Sequence, residues 1–297
     1  MEPNPVMRKL GLRDDDRAVI LHLDDLGMCQ ASVDAYRDLV DFGLISSAAT
    51  MVPCPWFPSV ASFVREHPQL DVGVHLTLTS EWDSYRWGPI STCDPASGLL
   101  DEEGYFYHAS DAAQQHAQPQ AALQEMRAQV LRARGAGIPL SHVDTHMGAV
   151  AHPKFMEGYV GLIREFGVPA MVYRLGEAGW RELGLDSPRA SAAAALVRQL
   201  EVQGIPLLDN LATIPLDKPE DRFAQTRQVL ASLPSGITHF LFHAAKDTPE
   251  LRAITADWPS RVADYQVFTG EPMRRFLQES GLHVIGYRDL QALLPDA

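Results

Sequence analysis

The chain has 297 residues, a formal net charge of −13 and 46% hydrophobic residues. This composition is typical of a folded globular protein, and the negative charge argues against nucleic acid and anionic membrane surfaces as partners. The three cysteines show no C-x-x-C spacing, which argues against a disulfide framework or a cysteine zinc site. Because we find neither a secretory h-region nor an apolar run of membrane-spanning length, we expect a cytoplasmic protein.

Short apolar runs alternate with helical patterns along most of the chain. We predict strands at 18–23, 47–52, 71–77, 140–145, 170–174, 206–210, 237–243 and 283–287. We predict helices at 31–42, 119–134, 153–166, 189–203, 220–232 and 271–280. This alternation predicts an α/β fold with mostly parallel strands, as one irregular (β/α) barrel of the TIM-barrel type over residues 1–297. The alternative is an open, doubly wound sheet.

Two segments interrupt the alternation. Residues 80–117, after the third strand, are rich in aromatic residues, and we expect them to form a long insert or lid loop. Residues 245–268 also fit neither pattern and contain Arg261.

Two adjacent carboxylates, Asp24 and Asp25, end the first predicted strand. In parallel α/β proteins the carboxyl ends of the strands form the active face. An equally simple interpretation is that one carboxylate caps the next helix and the other lies in solvent. However, Gly27 follows the pair, so the helix begins several residues later. Two adjacent carboxylates at a buried strand end therefore predict a positive charge beside them.

Histidines occupy the ends of three other predicted strands. His75 shares a strand face with Gly73, so it either lines a polar cavity or is a hydrogen-bonded core histidine. His142, Asp144 and His146 alternate in "SHVDTHMG" and would point the same way from an extended strand. An imidazole binds a metal through one nitrogen while a carboxylate holds the other, and this H-x-D-x-H pattern supplies both groups.

His243 ends the seventh predicted strand in "HFLFHAA". Together, these imidazoles and carboxylates predict a site for one divalent metal ion. The donor types favour Zn²⁺ and also suit Mn²⁺, Fe²⁺ or Co²⁺, whereas Mg²⁺ prefers oxygen but remains a possibility. A second carboxylate beside a metal-activated water is the arrangement of metal-assisted hydrolysis.

The ordered motifs "LDDLGM", "DVGVHLTLT", "SHVDTHMG", "GYFY" and "FLFHAA" resemble those of YdjC-type carbohydrate deacetylases, which include chitooligosaccharide deacetylase and relate distantly to polysaccharide deacetylases. The resemblance implies an irregular (β/α) barrel with one divalent metal and an N-acetylated sugar as substrate, and it makes a homodimer an expectation as well. It implies that Asp25, His75 and His146 bind the metal. It also implies that Asp24 is the general base and His243 the general acid.

The resemblance gives the remaining polar and aromatic residues expected roles. Asp144 and His142 would support the metal ligands from behind. Five residues are candidates for contact with the substrate: Trp82, Trp87, Tyr105, Tyr107 and Arg261. For each aromatic residue, packing within the loop is an alternative that the sequence favours slightly.

The sequence departs from the family pattern at two places and leaves two other functions open. Residues 147–150 replace further histidines, and Ala244 replaces a proline after the late histidine. A sugar-binding barrel that has lost catalysis is therefore one alternative. The other is Mg²⁺-dependent phosphoryl transfer, which paired aspartates can support, although the chain has no G-x-x-x-x-G-K-[ST] loop.

Overall fold

The computed structural model describes residues 3–295, which form a mostly parallel sheet surrounded by helices. The strands are β1 (Arg17–Leu26), β2 (Ser47–Thr50), β3 (Val72–Leu76), β4 (Val143–Thr145), β5 (Asn210–Thr213), β6 (Gly236–Phe242) and β7 (Leu282–Val284). Their order is β4-β3-β2-β1-β6-β5, and β7 pairs with the start of β1. Every pairing between these strands is parallel.

The sheet curls into a barrel-like fold. Single parallel bridges join Val143 to Ala170 and Tyr173 to Leu208, two residues before β5. The ring from β4 to β5 is thus completed by isolated bridges instead of full strands. The predicted α/β barrel is confirmed, whereas the strand predicted at 170–174 is reduced to these bridges.

Helices cover the outside of the sheet. They are α1 (Pro5–Lys9), α2 (Gln30–Phe42), α3 (Phe57–Glu66), α4 (Ser110–His116), α5 (Pro119–Gly135), α6 (Pro153–Phe166), α7 (Glu177–Glu182), α8 (Ser187–Val202), α9 (Arg222–Ala231), α10 (Pro249–Ile254), α11 (Trp258–Phe268), α12 (Glu271–Glu279) and α13 (Tyr287–Gln291). The six predicted helices lie within two residues of observed ones. Within residues 3–295, no helix combines the length and apolarity needed to cross a bilayer.

The segment 245–268 was wrongly predicted to interrupt the helical pattern. It contains α10 and α11, each with a proline in its first turn, where the missing N–H costs nothing. The segment 80–117 contains a short 3₁₀ turn at Pro95–Ser97 and α4, and otherwise follows an irregular path.

Successive side chains of β1 point alternately toward the surrounding helices and into the barrel. Val19, Leu21 and Leu23 belong to the large apolar core, whereas Ala18 and Ile20 belong to a smaller cluster with residues of α1 and α13. The next residues on the face of Ala18 and Ile20 are His22 and Asp24. The barrel interior therefore changes from apolar to ionisable toward the carboxyl ends of the strands.

Candidate metal centre and cleft

Asp24 and Asp25 reach the same cleft because the backbone of β1 is irregular there. In a regular strand adjacent side chains point to opposite faces. Asp25 instead has φ of +58°, and the register between β1 and β2 shifts between Leu23 and Leu26. A left-handed conformation is unfavourable for a residue with a Cβ, and such strain is concentrated at functional sites.

Asp25, His75 and His146 form a buried group with ligand atoms all within 4.8 Å of one another. Oδ1 of Asp25 lies 3.5 Å from Nε2 of His75 and 3.1 Å from Nδ1 of His146. This oxygen is buried and accepts no hydrogen bond from residues 3–295. One carboxylate oxygen and two imidazole nitrogens facing each other match the donor set of a divalent ion.

Each of the two imidazoles is held by a carboxylate at its other nitrogen. Nδ1 of His75 lies 2.8 Å from Oδ1 of Asp144, and Nε2 of His146 lies 3.1 Å from Oε2 of Glu81. These contacts leave Nε2 of His75 and Nδ1 of His146 directed at Asp25. Carboxylates in this position orient ligand imidazoles and raise their basicity. Glu81 lies in the irregular segment after β3, where no sequence pattern predicts a functional residue.

The charges around this group favour cations. Burial opposes protonation of His146, yet Glu81 and Asp25 raise its pKa to about 9. Burial also opposes protonation of His75, whose pKa is nevertheless raised well above its usual range by Asp144 and Asp24. The carboxylates therefore outweigh the burial of both rings, and the site attracts positive charge.

Arg261 pairs with Asp25 from the other side. Its Nη1 donates to Oδ2 of Asp25 at 2.7 Å, and its Nε donates to Asp257, also at 2.7 Å. Burial favours the neutral acid, but Arg261 and then His146 hold the pKa of Asp25 well below its usual range. Arg261 thus fixes one oxygen of Asp25 and leaves the other directed at the imidazoles.

Asp24 lies beside this group without belonging to it. Its Oδ2 lies 3.9 Å from Nε2 of His75 and 3.9 Å from Nε2 of His243. Burial, with the negative charges of Asp144 and Asp25, raises the pKa of Asp24 to about 8, although His75 opposes this. A carboxylate in such surroundings is suited to proton transfer.

His243 follows β6 and lines the same cleft. Its backbone N–H donates to Oδ2 of Asp264 at 3.1 Å, which fixes the chain where the strand ends. Burial lowers the pKa of His243 to about 3, so its imidazole is neutral in the free protein.

The cleft has a volume of about 490 Å³ and is lined by two kinds of side chain. The polar lining includes Asp24, Asp25, His75, Glu81, His146, His243, Asp257 and Arg261. The apolar lining, called here the apolar wall, consists mainly of Met147, Ala151, Met171, Leu211, Leu216 and Leu241. Met147 and Leu211 are about half exposed there, at 49% and 51%.

Of the four aromatic residues predicted to contact substrate, the structure places Trp82 at the cleft. Trp87 is buried and donates through Nε1 to the carbonyl of Thr79 at 2.8 Å. Tyr105 lies under the guanidinium of Arg86. Tyr107 stacks on the ring of His116 at 5.0 Å. These three side chains do not line the cleft because the loop uses them for its own packing.

Arg261 and His142 also differ from their predicted surroundings. Arg261 lines the cleft, but its ion pairs with Asp25 and Asp257 occupy its polar atoms. His142 lies deeper, stacked on Tyr287 at 3.8 Å, with Nδ1 2.8 Å from Oγ of Ser141. Of the two predicted supporting residues, Asp144 contacts a ligand imidazole and His142 does not.

The model of the YdjC-like protein family matches residues 18–279. A protein named carbohydrate deacetylase from Thermus thermophilus is 34% identical over 97% of this chain and 99% of its own length. The chain belongs to the YdjC-like family. A second protein with that name, from Thermoanaerobacter pseudethanolicus, is 22% identical over 92% of this chain and 99% of its own.

A solved structure shares the fold of this YdjC-like protein. It is described as a candidate cellobiose-phosphate cleavage protein from Enterococcus faecalis. The two superpose with a TM-score of 0.73 at 20% identity, over 93% of this chain and 99% of the other.

The segment after His146, where this YdjC-like chain departs from the motif, contributes to the lining of the cleft. Met147 has φ of +50° and projects into the cleft, whereas Ala149 and Val150 are buried. The departure leaves Asp25, His75 and His146 in place and changes the cleft wall.

Proposed function

We propose that this chain is a metal-dependent hydrolase that removes the acetyl group from an N-acetylated sugar or short oligosaccharide. The observation that carries the proposal is the buried group of Asp25, His75 and His146 with a second carboxylate, Asp24, at the same cleft. The name carbohydrate deacetylase, carried by full-length relatives, supports the substrate class.

The residues present fit one divalent ion held by Asp25, His75 and His146. The unpartnered Oδ1 of Asp25 faces one nitrogen of each imidazole, and carboxylates occupy the other nitrogens. This donor set suits Zn²⁺ best and also accepts Mn²⁺, Fe²⁺ or Co²⁺, whereas Mg²⁺ would bind with fewer protein ligands and more water. When bound, the ion would polarise the acyl carbonyl and lower the pKa of water.

Asp24 takes the proton of the attacking water. It is ionised, as a base must be, when positive charge lies beside it. The water oxygen bonds to the acyl carbon, the C–N bond then breaks, and acetate and a free sugar amine form. The amine must receive one proton in this step.

His243 delivers that proton. Nε2 of His243 lies 3.9 Å from Oδ2 of Asp24, so the base and the acid face the same part of the cleft. The proton that water loses to Asp24 balances the proton that the amine gains from His243, and exchange with solvent restores both groups after product release. General acid–base transfer of this kind typically contributes about 10²–10⁴-fold.

The test is acetate release from a panel of N-acetylated mono- and disaccharides by the purified chain, with Zn²⁺, Mn²⁺ or Mg²⁺ and with a chelator. We expect release that the chelator abolishes and a metal restores. Metal and sugar binding without acetate release would instead favour a barrel that has lost catalysis. Phosphate release from phosphorylated sugars would favour the phosphoryl-transfer alternative.

A further inference from the structure

His22 is a fully buried histidine of β1 that the mechanism above does not use. It lies two residues before Asp24, on the same inward face of the strand. Its Nε2 is hydrogen-bonded to Oδ2 of Asp144 at 2.9 Å and lies 3.3 Å from Oδ1 of Asp24, an oxygen that accepts no hydrogen bond from residues 3–295. One imidazole nitrogen therefore faces the carboxylates of two different strands.

The other carboxylate oxygen of Asp144 contacts His75, a candidate metal ligand. Oδ1 of Asp144 lies 2.8 Å from Nδ1 of His75, while Oδ2 contacts His22. The chain of contacts runs from His75 through Asp144 and His22 to Asp24. It connects an expected metal ligand with the expected base through Asp144 and His22, which are buried behind the residues that line the cleft.

The contacts of His22 determine its tautomer. A nitrogen that faces two carboxylates carries the proton, because a lone pair there would be repelled. Nδ1 is buried and has no hydrogen-bond partner within residues 3–295. Burial lowers the pKa of His22 to about 4, which agrees with a neutral ring protonated at Nε2.

We propose that His22 is a positioning residue whose Nε2–H, hydrogen-bonded to Asp144, also lies against Oδ1 of Asp24, so that Asp24 stays directed at the water it deprotonates. Two buried carboxylates repel each other, and a positive N–H hydrogen between them limits their movement. The inference rests on the proposed function, because it assigns His22 a role through Asp24.

A second buried cation is the competing interpretation of the same residues. Ligand atoms of His22, Asp24, Asp144 and His239 also lie within 4.8 Å of one another. The distances argue against it, because Nε2 of His22 and Oδ2 of Asp144 lie 2.9 Å apart, the separation of a hydrogen bond and shorter than that of two ligand atoms on one ion.

The test compares His22→Leu with His22→Gln in the metal-loaded chain. Leu removes the N–H at similar volume, and we expect kcat to fall about 10–100-fold with little change in KM. Gln can place its amide N–H near the position of Nε2, so we expect it to restore most of the rate. If His22→Leu does not fold, His22→Asn replaces it, because the shorter amide cannot reach both carboxylates.

His239→Asn is the matched control. His239 is equally buried, its ring packs on His22 at 4.5 Å, and its Nδ1 bonds the hydroxyl of Tyr287 at 2.8 Å. Asn keeps a polar atom near the Nδ1 position, so we expect kcat to stay near the wild-type value. Equal losses in His22→Leu and His239→Asn would indicate general core damage and overturn the proposal.

Two readouts are independent of turnover. Elemental analysis should give one metal ion per chain in wild type and in His22→Gln, and two ions in wild type would favour the second cation. Proton NMR of the metal-free chain should show a slowly exchanging imidazole N–H that disappears in His22→Gln, and its absence from wild type would contradict the assigned tautomer.

The failure of the two proposals can be told apart. A wild-type chain that is inactive on the whole panel would refute the proposed function. Active wild type with a fully active His22→Leu would refute only the role of His22.

Discussion

Glu81 and His146 form a contact that joins the irregular loop to the candidate metal centre, with Oε2 of Glu81 3.1 Å from Nε2 of His146. Glu81 immediately precedes Trp82, which lines the cleft. The loop after β3 therefore orients an expected ligand as well as covering the site.

Replacing Glu81 tests this orientation. Glu81→Gln removes the negative charge that favours Nδ1 of His146 as a ligand, so we expect metal affinity to fall roughly 10–100-fold. Calorimetric titration of the metal-free protein with Zn²⁺ would measure the change. Glu103→Gln is the control, because Glu103 lies in the same loop but its side chain is 70% exposed. Unchanged affinity in Glu81→Gln would contradict the orienting role.

Removing an expected ligand should remove the metal itself. His75→Ala and His146→Ala each delete one of three protein donors, so we expect neither variant to retain stoichiometric metal after dialysis. Elemental analysis of the purified proteins measures this directly. His116→Ala, in α4 and stacked on Tyr107, serves as the control and should retain the ion. Full occupancy in a ligand variant would remove that histidine from the set.

Asp24→Asn separates the base from the ligands. The amide keeps the shape of the carboxylate but cannot accept a proton at neutral pH. We expect metal content to stay at the wild-type level and kcat to fall about 10²–10⁴-fold. Steady-state acetate release and elemental analysis on the same preparation provide both numbers. Turnover at the wild-type rate would show that another group removes the proton.

The sequence predicts which residues of a strand share a face because a two-residue period is a local property. Gly73 and His75 do share an inward face: a Cβ added at Gly73 would lie 2.5 Å from the ring of His142. His142 and Asp144 share that face too. The functional roles of five residues stay predictions, as do a homodimeric state and a location in the cytoplasm. The five residues are Asp24, Asp25, His75, His146 and His243.

Other features depend on contacts that no local pattern encodes. The period of two places Asp24 and Asp25 on opposite faces, and only the left-handed backbone at Asp25 brings both to the cleft. Arg261 reaches Asp25 across 236 positions of sequence. Glu81 lies in an aperiodic loop, and His22 reads as one polar residue in an apolar strand. A carboxylate six residues after His75 was the only available signal for Glu81.

A buried ion pair supports His243 from behind. Nε of Arg222 donates to Asp264 at 2.6 Å, and Asp264 in turn accepts the backbone N–H of His243. Arg222→Met would leave Asp264 buried without its partner, so we expect the free energy of unfolding to fall by about 3–5 kcal/mol. Urea unfolding followed by circular dichroism measures the change.

The control for Arg222 is an exposed pair of the same type. Arg127 bonds Glu165 on the surface, with Arg127 46% exposed, and exposed pairs contribute little to stability. Arg127→Met should leave the unfolding midpoint nearly unchanged. Equal losses of stability in the two variants would show that the buried pair of Arg222 and Asp264 contributes no more to the free energy of unfolding than an exposed pair does.

Leu211 tests whether substrate lies along the apolar wall. It is 51% exposed on β5 and lines the same cleft as the ionisable groups, so a substrate bound along this wall would cover it. Covering half a leucine side chain stabilises a complex by roughly 1 kcal/mol, so Leu211→Ser should raise KM roughly fivefold with kcat unchanged. Val202→Ser, at a position 90% exposed on α8, should change neither constant. An unchanged KM in Leu211→Ser would place the substrate away from this wall, whereas a lower kcat would mean that Leu211 shapes the reacting centre itself.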